Sequence, residues 1–366
     1  MKYIRPIAAG FSVIRRYRAR MTLYIAVVWT AVDLIFYLYH FVYHEPYNSP
    51  LFRERTATAV MLRETNVFFL SMVMAYCLIF LLKDFFRNIS LWLKIILKSV
   101  ILIVVVLTMN FFIHFSYATL IDKQTAWLAV HSFYTKTFET HWLLEKAPEW
   151  IILFVLTQIW IEINEKYSPG VFFDIILGRY TQPKEERRII MFLDMKDSTR
   201  IAEKLGHKDY YKFIRDFIVH ISNGIMEYGG RIYQYVGDEI VISWPQSRRN
   251  ALKAIYALIE ARKQLNKNSQ NFKQQYDISP EFKAAIHVGS VTIGEIGVLK
   301  RDLVMSGDTM NTAARMRTAC NELNQKFIVS KDFLDRIELQ DWQAESLGPI
   351  ELKGRNTTIE LFALKI

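Results

Sequence analysis

The sequence predicts a protein in two parts, a membrane α-helical bundle of about four spans followed by an α/β sandwich with a mixed sheet. The first observation is that 52% of the 366 residues are hydrophobic and that the long apolar runs lie before about residue 165. The second is that short apolar runs alternate with helical patterns from Arg188 onward. We therefore divide the chain into a transmembrane domain over residues 1–163, a linker or coupling helix over 164–187, and a second domain over 188–366.

Four apolar segments are expected to cross the membrane, and the last is the shortest: about Met21–Tyr43, Asn66–Phe86, Ile95–Tyr117 and Glu149–Ile163. The first follows a basic N-terminus, but it is too long for the core of a signal peptide and lacks a small-residue cleavage pattern, so we expect it to be retained. The stretch Leu120–Lys146 is amphipathic and carries too many polar groups to span. It favours an interfacial or extracytoplasmic pair of helices.

The net charge of +10 is explained by lysines and arginines beside the membrane segments. The N-terminal arginines and the stretch Lys83–Lys98 are the richest basic flanks, so both are expected on the cytoplasmic side, although the first outer loop also contains arginines. Four spans then return the chain to the cytoplasm. This predicts a multi-pass protein of the inner (plasma) membrane with a cytoplasmic second domain. No basic stripe with interleaved aromatic residues occurs in that domain, which argues against nucleic acid as a partner.

Three features of the first half and the linker each have two explanations. Asp33 is either a functional intramembrane carboxylate or a residue that lies near a helix interface or near water. The linker stretch Val171–Leu177 is a tether or a dimerising element that passes membrane-side motion to the second domain, and its apolar content favours the latter. Five histidines favour an ordinary amphipathic surface over a metal or haem sensor: His40, His44, His114, His131 and His141. The two cysteines, Cys77 and Cys320, form no disulfide or metal-ligand pattern.

Strands and helices alternate in the predicted second domain. The predicted strands are Ile189–Asp194, Arg231–Val236, Ile240–Trp244, Phe282–Val288, Val291–Ile296, Lys326–Val329 and a final pair ending near Phe362. The predicted helices are Ser198–Leu205, Lys208–Tyr228, Arg249–Lys267 and Thr309–Leu323, with a further short helix after residue 329.

Two strands of this pattern each deliver an aspartate to a turn. Asp194 ends the first strand and precedes a helix start, whose free backbone N–H groups suit phosphate binding at Asp197, Ser198 and Thr199. Asp197 or Ser198 could also simply cap the helix, and both roles can hold at once. Asp238 follows Gly237 in a hairpin turn and can reach the same metal ions. Magnesium suits this arrangement, because it is bound by one or two carboxylates together with substrate phosphates.

A second group of polar residues lies on the helix that begins near Thr309. Asn311 and Arg315 are four residues apart and share one face, where an amide could orient a ribose and a guanidinium could neutralise a transferring phosphoryl group. The alternative is an ordinary polar helix face. Lys353, in the turn Leu352-Lys353-Gly354-Arg355, could bind terminal phosphates, although on its own it resembles any basic turn.

From about Arg188 to Ile366 the chain resembles the catalytic domain of the class III nucleotidyl cyclases, which has a ferredoxin-like α/β fold. The matching motifs are Phe192-Leu193-Asp194-Met195-x-x-Ser198-Thr199, Glu203-Lys204-Leu205-Gly206, Val236-Gly237-Asp238-Glu239, His287-x-Gly289, Ser306 through Arg315 and Leu352-Lys353-Gly354. The resemblance implies a homodimer with two interfacial sites, each using two Mg²⁺ or Mn²⁺ ions. Asp194, the backbone carbonyl of Met195 and Asp238 would hold the metals, and Lys353 would hold phosphates. Asn311 and Arg315 would come from the partner subunit.

The positions that match the family's purine-reading residues depart from its usual patterns. Gln234 stands four residues before Asp238 where adenylyl members usually have lysine, and Val304 stands where they have aspartate or threonine. The guanylyl pair of glutamate and cysteine is also absent. We expect an adenylate cyclase that converts ATP to 3′,5′-cyclic AMP and pyrophosphate, with a guanylate cyclase acting on GTP as the alternative. A membrane receptor with a nucleotide-binding but inactive cyclase fold is an alternative of another class. The Gly-Gly-Asp-Glu-Phe signature of diguanylate cyclases is absent.

Overall fold

The computed structural model describes residues 13–43, 57–81, 90–138, 142–166, 177–298, 302–337, 344–352 and 358–366. The chain divides into two compact units, Arg15–Lys166 and a second unit that comprises mainly Tyr167–Ile366. The linker stretch from Val171 to residue 176, His44, His141 and Lys353 lie outside the described residues.

The first unit is helical throughout its described parts. Its helices are α1 (Val13–Tyr43), α2 (Ala57–Tyr76, continued by a π-helical turn Cys77–Leu81), α3 (Leu91–Leu120), α4 (Ala126–Phe138) and α5 (Trp142–Lys166). By length and composition, three segments of the described chain could cross a membrane: Arg15–Tyr39, Ala57–Phe80 and Ile96–Leu120. The fourth predicted span, Glu149–Ile163, corresponds to the apolar part of α5, Trp150–Asn164, which is shorter than these three. The second segment begins at Ala57 rather than Asn66.

Polar contacts within this unit account for several of the residues singled out above. Asp33 is buried and accepts a hydrogen bond from Arg63 at 2.9 Å, so that a charge on α1 is paired with a charge on α2. His114 is buried and lies 2.8 Å from the hydroxyl of Ser132, while His131 stacks on Trp127. His114 is therefore not on the amphipathic surface expected from the sequence, because it is buried beside Ser132.

The second unit contains a mixed sheet with helices on its faces. Its elements are β1 (Lys184–Met195), α6 (Ser198–Glu227), β2 (Arg231–Val236), β3 (Glu239–Pro245), α7 (Arg248–Lys267), α8 (Ser269–Tyr276), β4 (Phe282–Ile296), β5 (Asp302–Ser306), α9 (Asp308–Glu322), β6 (Phe327–Ser330), α10 (Lys331–Leu334), β7 (Ala344–Glu351) and β8 (Thr358–Leu364). The strand order is β2-β3-β1-β4-β6-β8-β7, and β5 pairs with β4. Only the β4–β6 pair is parallel among the strands described. The succession β1-α6-β2-β3-α7-β4 with order β2-β3-β1-β4 is ferredoxin-like.

Alternating side chains give the sheet two apolar faces. On one face Ile189, Met191 and Leu193 of β1 pack with the buried sides of α6 and α7. On the other, Ile190 and Phe192 pack with Ala313 of α9 and with residues of β4. Helix α9 therefore covers the face opposite α6 and α7, and it lies directly beneath the end of β1.

Four features of this unit differ from the sequence prediction. Strand β1 begins at Lys184, before the expected start at Ile189, because Lys184–Arg188 continue the ladder with β4. The two predicted helices after Asp194 form one helix with non-helical backbone at Gly206. The two strands expected around Gly289 form the single strand β4, and the sequence reasoning missed β5 and α8. Tyr180 of the predicted linker is buried against Ile293 and belongs to the second unit.

Candidate active site

The end of β1 positions the first aspartate. Leu193 and Met195 point into the core under α6 and α7, so the intervening Asp194 lies on the α9 side together with Phe192. Asp194 is only half-buried while its two neighbours are buried. A carboxylate is therefore presented at the end of a central strand, which pairs with β3 on one side and with β4 on the other.

The β2–β3 hairpin positions the second aspartate. Val236 pairs with Glu239, so Gly237 and Asp238 form a two-residue turn, and Gly237 has the positive φ of 63° that favours glycine. Burial and then the charge of Asp238 raise the pKa of the Asp194 carboxyl to about 7. The Oδ2 atom of Asp238 is shielded from solvent and has no hydrogen-bond partner in the part of the chain that is described. The structure thus brings the two predicted metal ligands together.

These two carboxylates suit a divalent cation. A shielded carboxylate oxygen without a hydrogen bond and a neighbouring carboxyl with a raised pKa both indicate negative charge that lacks compensation. Within the described ranges no group of three or more His, Cys, Asp or Glu side chains is arranged to hold a metal. Magnesium takes few protein carboxylates and completes its shell with water and substrate phosphates. Met195, whose carbonyl was the third predicted ligand, ends β1 opposite Phe282.

Sequence reasoning assigned no role at this site to three residues near the aspartates: Arg317, Glu239 and Tyr210. Arg317 of α9 places Nη1 at 3.4 Å from Oδ2 of Asp194 and Nη2 at 2.6 Å from Oε2 of Glu239. Its charge lowers the pKa of Asp194, against the effect of burial. Tyr210 of α6 is the third: burial raises the pKa of its phenol, the charge of Asp238 adds to this, and a hydrogen bond with Ser198 opposes it.

The predicted phosphate corner lies where β1 passes into α6. Asp197 precedes the helix with a positive φ of 58°, and its side chain makes no capping hydrogen bond. Asp197 is therefore the N-cap residue by position, but its side chain does not cap a backbone N–H group. Ser198 is half-buried and Thr199 is exposed in the first turn, where backbone N–H groups have no helical partner. The arrangement can accept an anion beside the metal carboxylates.

Helix α9 carries the predicted transition-state pair. Asn311 is exposed and Arg315 is half-buried, one turn apart. Arg315 and Arg317 are separated by roughly 200° around the helix axis, because each residue turns an α-helix by about 100°. Since Arg317 contacts Asp194 of its own chain, the Cβ of Arg315 is directed away from that aspartate. The structure does not bring Asn311 and Arg315 to the metal carboxylates of the same chain.

The predicted base-reading residues lie on two strands that do not pair with each other, β2 and β5. Gln234 is exposed on β2, and Val304 is half-buried on β5 opposite Gly294. The hydroxyl of Tyr233, next to Gln234, accepts a hydrogen bond at 2.7 Å from the backbone N–H of Met305, next to Val304. The two strands are therefore tied together immediately beside both predicted positions.

Comparison with known proteins decides the family. The family model for the adenylate and guanylate cyclase catalytic domain matches residues 180–365, which is half of the chain. The match begins at the buried Tyr180. The chain belongs to this family, the class III nucleotidyl cyclases.

Two relatives of this chain carry adenylate cyclase names, and others carry guanylate cyclase names. Adenylate cyclase 2 of Rhizobium meliloti (strain 1021) is 33% identical over 218 residues, 58% of this chain and 58% of the relative. An adenylate cyclase of Anabaena cylindrica is 22% identical over 214 residues, 55% of this chain and 42% of the relative. The chain thus spans about half the length of these relatives. A solved bacterial light-regulated adenylyl cyclase is 20% identical, with a TM-score of 0.53 over 61% of this chain and 65% of its own, and shows the same fold.

Proposed function

We propose that this chain is a membrane-anchored adenylate cyclase that converts ATP to 3′,5′-cyclic AMP and pyrophosphate at the interface of a homodimer. The observation that carries the proposal is the pairing of Asp194 with Asp238 at the end of β1, in a chain whose family is the class III cyclases. A fold retained only for dimerisation has no need of a shielded, uncompensated carboxylate oxygen on Asp238. This argues against the inactive receptor.

In the proposed reaction the ribose 3′-oxygen of ATP forms a bond to the α-phosphorus, the bond from that phosphorus to the bridging oxygen breaks, and pyrophosphate leaves while the hydroxyl proton is lost. Mg²⁺ or Mn²⁺, two ions per site, would supply Lewis-acid activation of the hydroxyl and charge neutralisation when bound by Asp194 and Asp238. The start of α6 at Asp197, Ser198 and Thr199 offers backbone N–H groups to the phosphates. Lys353, outside the described residues, keeps its proposed phosphate role.

A homodimer is part of the proposal because one chain lacks a complete site. Arg317 contacts Asp194 of its own chain, whereas Asn311 and Arg315 lie on a different side of α9. In a two-fold dimer the same surface patch contributes to both sites, so each Arg315 can stabilise the transition state at the partner's aspartates. The carbonyl of Met195 remains a proposed third metal ligand.

ATP is proposed over GTP because the two relatives described above are adenylate cyclases. The base-reading positions do not decide the question on their own. Gln234 can donate and accept a hydrogen bond, so it can face either purine, and Val304 offers no hydrogen bond. GTP therefore remains the alternative substrate.

Anchoring in the inner (plasma) membrane, with the cyclase domain in the cytoplasm, is supported by the first unit. Three of its segments have the length and composition of spans. Their outward side chains are apolar: Ile35 is 64% exposed and Val104 is 60% exposed, as lipid-facing residues would be. The linker is proposed to couple this unit to dimer geometry.

The test is nucleotide turnover by the full chain in lipid nanodiscs with Mg²⁺ or Mn²⁺, comparing kcat/KM for ATP and GTP. We expect cyclic AMP and a higher kcat/KM for ATP. Asp238→Ala is expected to lower kcat by at least about a hundredfold, the scale of one lost electrostatic group, with the dimer retained by size-exclusion chromatography. Asp209→Ala, an exposed carboxylate on α6, is the matched control. A higher kcat/KM for GTP would select the alternative substrate, and unchanged turnover by Asp238→Ala would remove the metal assignment.

A further inference from the structure

Arg317 is the one guanidinium in contact with the metal carboxylates among the residues described, and the proposed reaction does not use it. Its two terminal nitrogens reach two different elements, Asp194 at the end of β1 and Glu239 at the start of β3. The side chains are largely enclosed, at 27% exposure for Arg317, 20% for Asp194 and 12% for Glu239. Enclosure weakens the screening of their charges by water, so the ion pairs are stronger than surface pairs.

The two contacts differ in quality. Both contacts are ion pairs without hydrogen-bond geometry, and the one with Glu239, at 2.6 Å, is shorter than the one with Asp194, at 3.4 Å. Arg317 is therefore anchored on Glu239 and extends its second nitrogen toward Asp194. A small rotation of the guanidinium can break the longer contact and keep the shorter one.

The charges explain why the longer contact exists. Asp194, Asp238 and Glu239 bring three carboxylates to the ends of β1 and the β2–β3 turn. The guanidinium lies 3.4 Å from Asp194 and offsets part of this negative charge. A divalent cation at Asp194 and Asp238 would be a larger positive charge in the same place, and it would repel Arg317.

We propose that Arg317 is the resident counter-ion of the metal site, pairing with Asp194 in the metal-free chain and retreating onto Glu239 when a divalent cation binds. This inference rests on the metal assignment within the proposed function. Arg317 is a positioning residue: it neutralises the empty site and thereby weakens the affinity for metal, while Glu239 holds it ready to withdraw. Metal binding then depends on two residues that need not touch the metal.

The test is to measure Mn²⁺ binding to the full chain in nanodiscs, without nucleotide, by electron paramagnetic resonance. Because Arg317→Gln removes the competing charge, we expect its dissociation constant for Mn²⁺ to fall about tenfold. Arg317→Lys keeps the charge and should remain close to the wild type. Arg215→Gln, which removes an exposed guanidinium that also lies beside an aspartate, is the matched control and should bind as the wild type does. Unchanged or weaker Mn²⁺ binding by Arg317→Gln overturns the proposal.

Glu239→Gln supplies a second, independent readout. Without its anchor Arg317 pairs more fully with Asp194, so Mn²⁺ binding should weaken. In the double variant with Arg317→Gln this weakening should disappear, because Glu239 acts through the arginine. A weakening that persists in the double variant would make Glu239 a metal ligand and overturn the anchoring role. If Arg317→Gln does not fold, the direction of the Glu239→Gln change decides alone: unchanged or tighter binding overturns the proposal. Since turnover is not measured, a failed cyclase assay and a failed counter-ion test are distinguishable.

Discussion

At Gly289 the absence of a side chain sets the distance between β4 and α9. A Cβ at this position would lie 2.4 Å from Oγ1 of Thr309, which is buried and donates a hydrogen bond to the carbonyl of Ser290 at 2.6 Å. Gly289→Ala should therefore lower the free energy of unfolding by about 1–3 kcal/mol, the usual cost of overpacking. Turnover should fall as well, since α9 carries Asn311 and Arg315. Chemical denaturation and a cyclase assay measure the two effects.

Thr309→Ala should relieve the steric clash that Gly289→Ala introduces. It removes the atom that a new Cβ would meet, so the double variant Gly289→Ala/Thr309→Ala should lose less stability than the sum of the single variants. Strict additivity would show that Gly289 is needed for another reason. The single variant Thr309→Ala measures the cost of the lost hydrogen bond alone.

At the scale of elements, α6 and α8 pack through an aromatic cluster that includes a histidine. His220 of α6 lies edge-on to Phe272 of α8, with ring centroids 5.7 Å apart. Burial lowers the pKa of His220 from 6.5, and the nearby Asp216 partly opposes this. Because the unfolded chain then binds the proton more readily, the free energy of unfolding should fall as the pH drops through about 6.5 and level off below the folded-state pKa.

His220→Phe keeps the ring contact and removes the titration. The difference in melting temperature between the wild type and His220→Phe should therefore grow as the pH is lowered from 7.5 to 5.5. His207→Phe removes an exposed imidazole from the same helix and serves as the control. A difference that does not change with pH would show that the pKa of His220 is the same in the folded and the unfolded chain.

The elements also show what the sequence could predict. Continuous apolar runs made β1 and β3 predictable, and the Gly237-Asp238 turn between β2 and β3 was recognised. Asp194 and Asp238 were therefore expected to lie close together, as they do in the structure. β5 was missed because its five residues begin with Asp302 and show no clear alternation. Arg317 was missed because its role depends on the rotation of α9 against the sheet, which is set by contacts such as Gly289 with Thr309. No local pattern in a sequence specifies such a rotation.

At the scale of the whole molecule, the position of Arg315 leads to a prediction about the dimer. If each site combines the aspartates of one subunit with Arg315 of the other, Asp238→Ala and Arg315→Ala chains should complement each other when mixed. In the mixed dimer one site carries both substitutions and the other carries neither. When equal amounts of the two chains associate at random, about half of the dimers are mixed. Each mixed dimer has one intact site out of two, so about a quarter of wild-type turnover should return.

Complementation therefore distinguishes shared sites from sites within one chain. Each variant alone should be nearly inactive, and activity should appear only after the two are co-expressed or exchanged in one membrane. Asn311→Ala should behave like Arg315→Ala, because the two residues share one face of α9. Arg317 lies on a different side of the same helix and contacts Asp194 of its own chain. In a mixed dimer, Arg317→Ala should therefore change Mn²⁺ binding only when it is in the same chain as the intact aspartates. No recovery of turnover in the mixture would place Arg315 and Asp238 in the same site of one chain, and the two-fold assembly proposed here would be wrong.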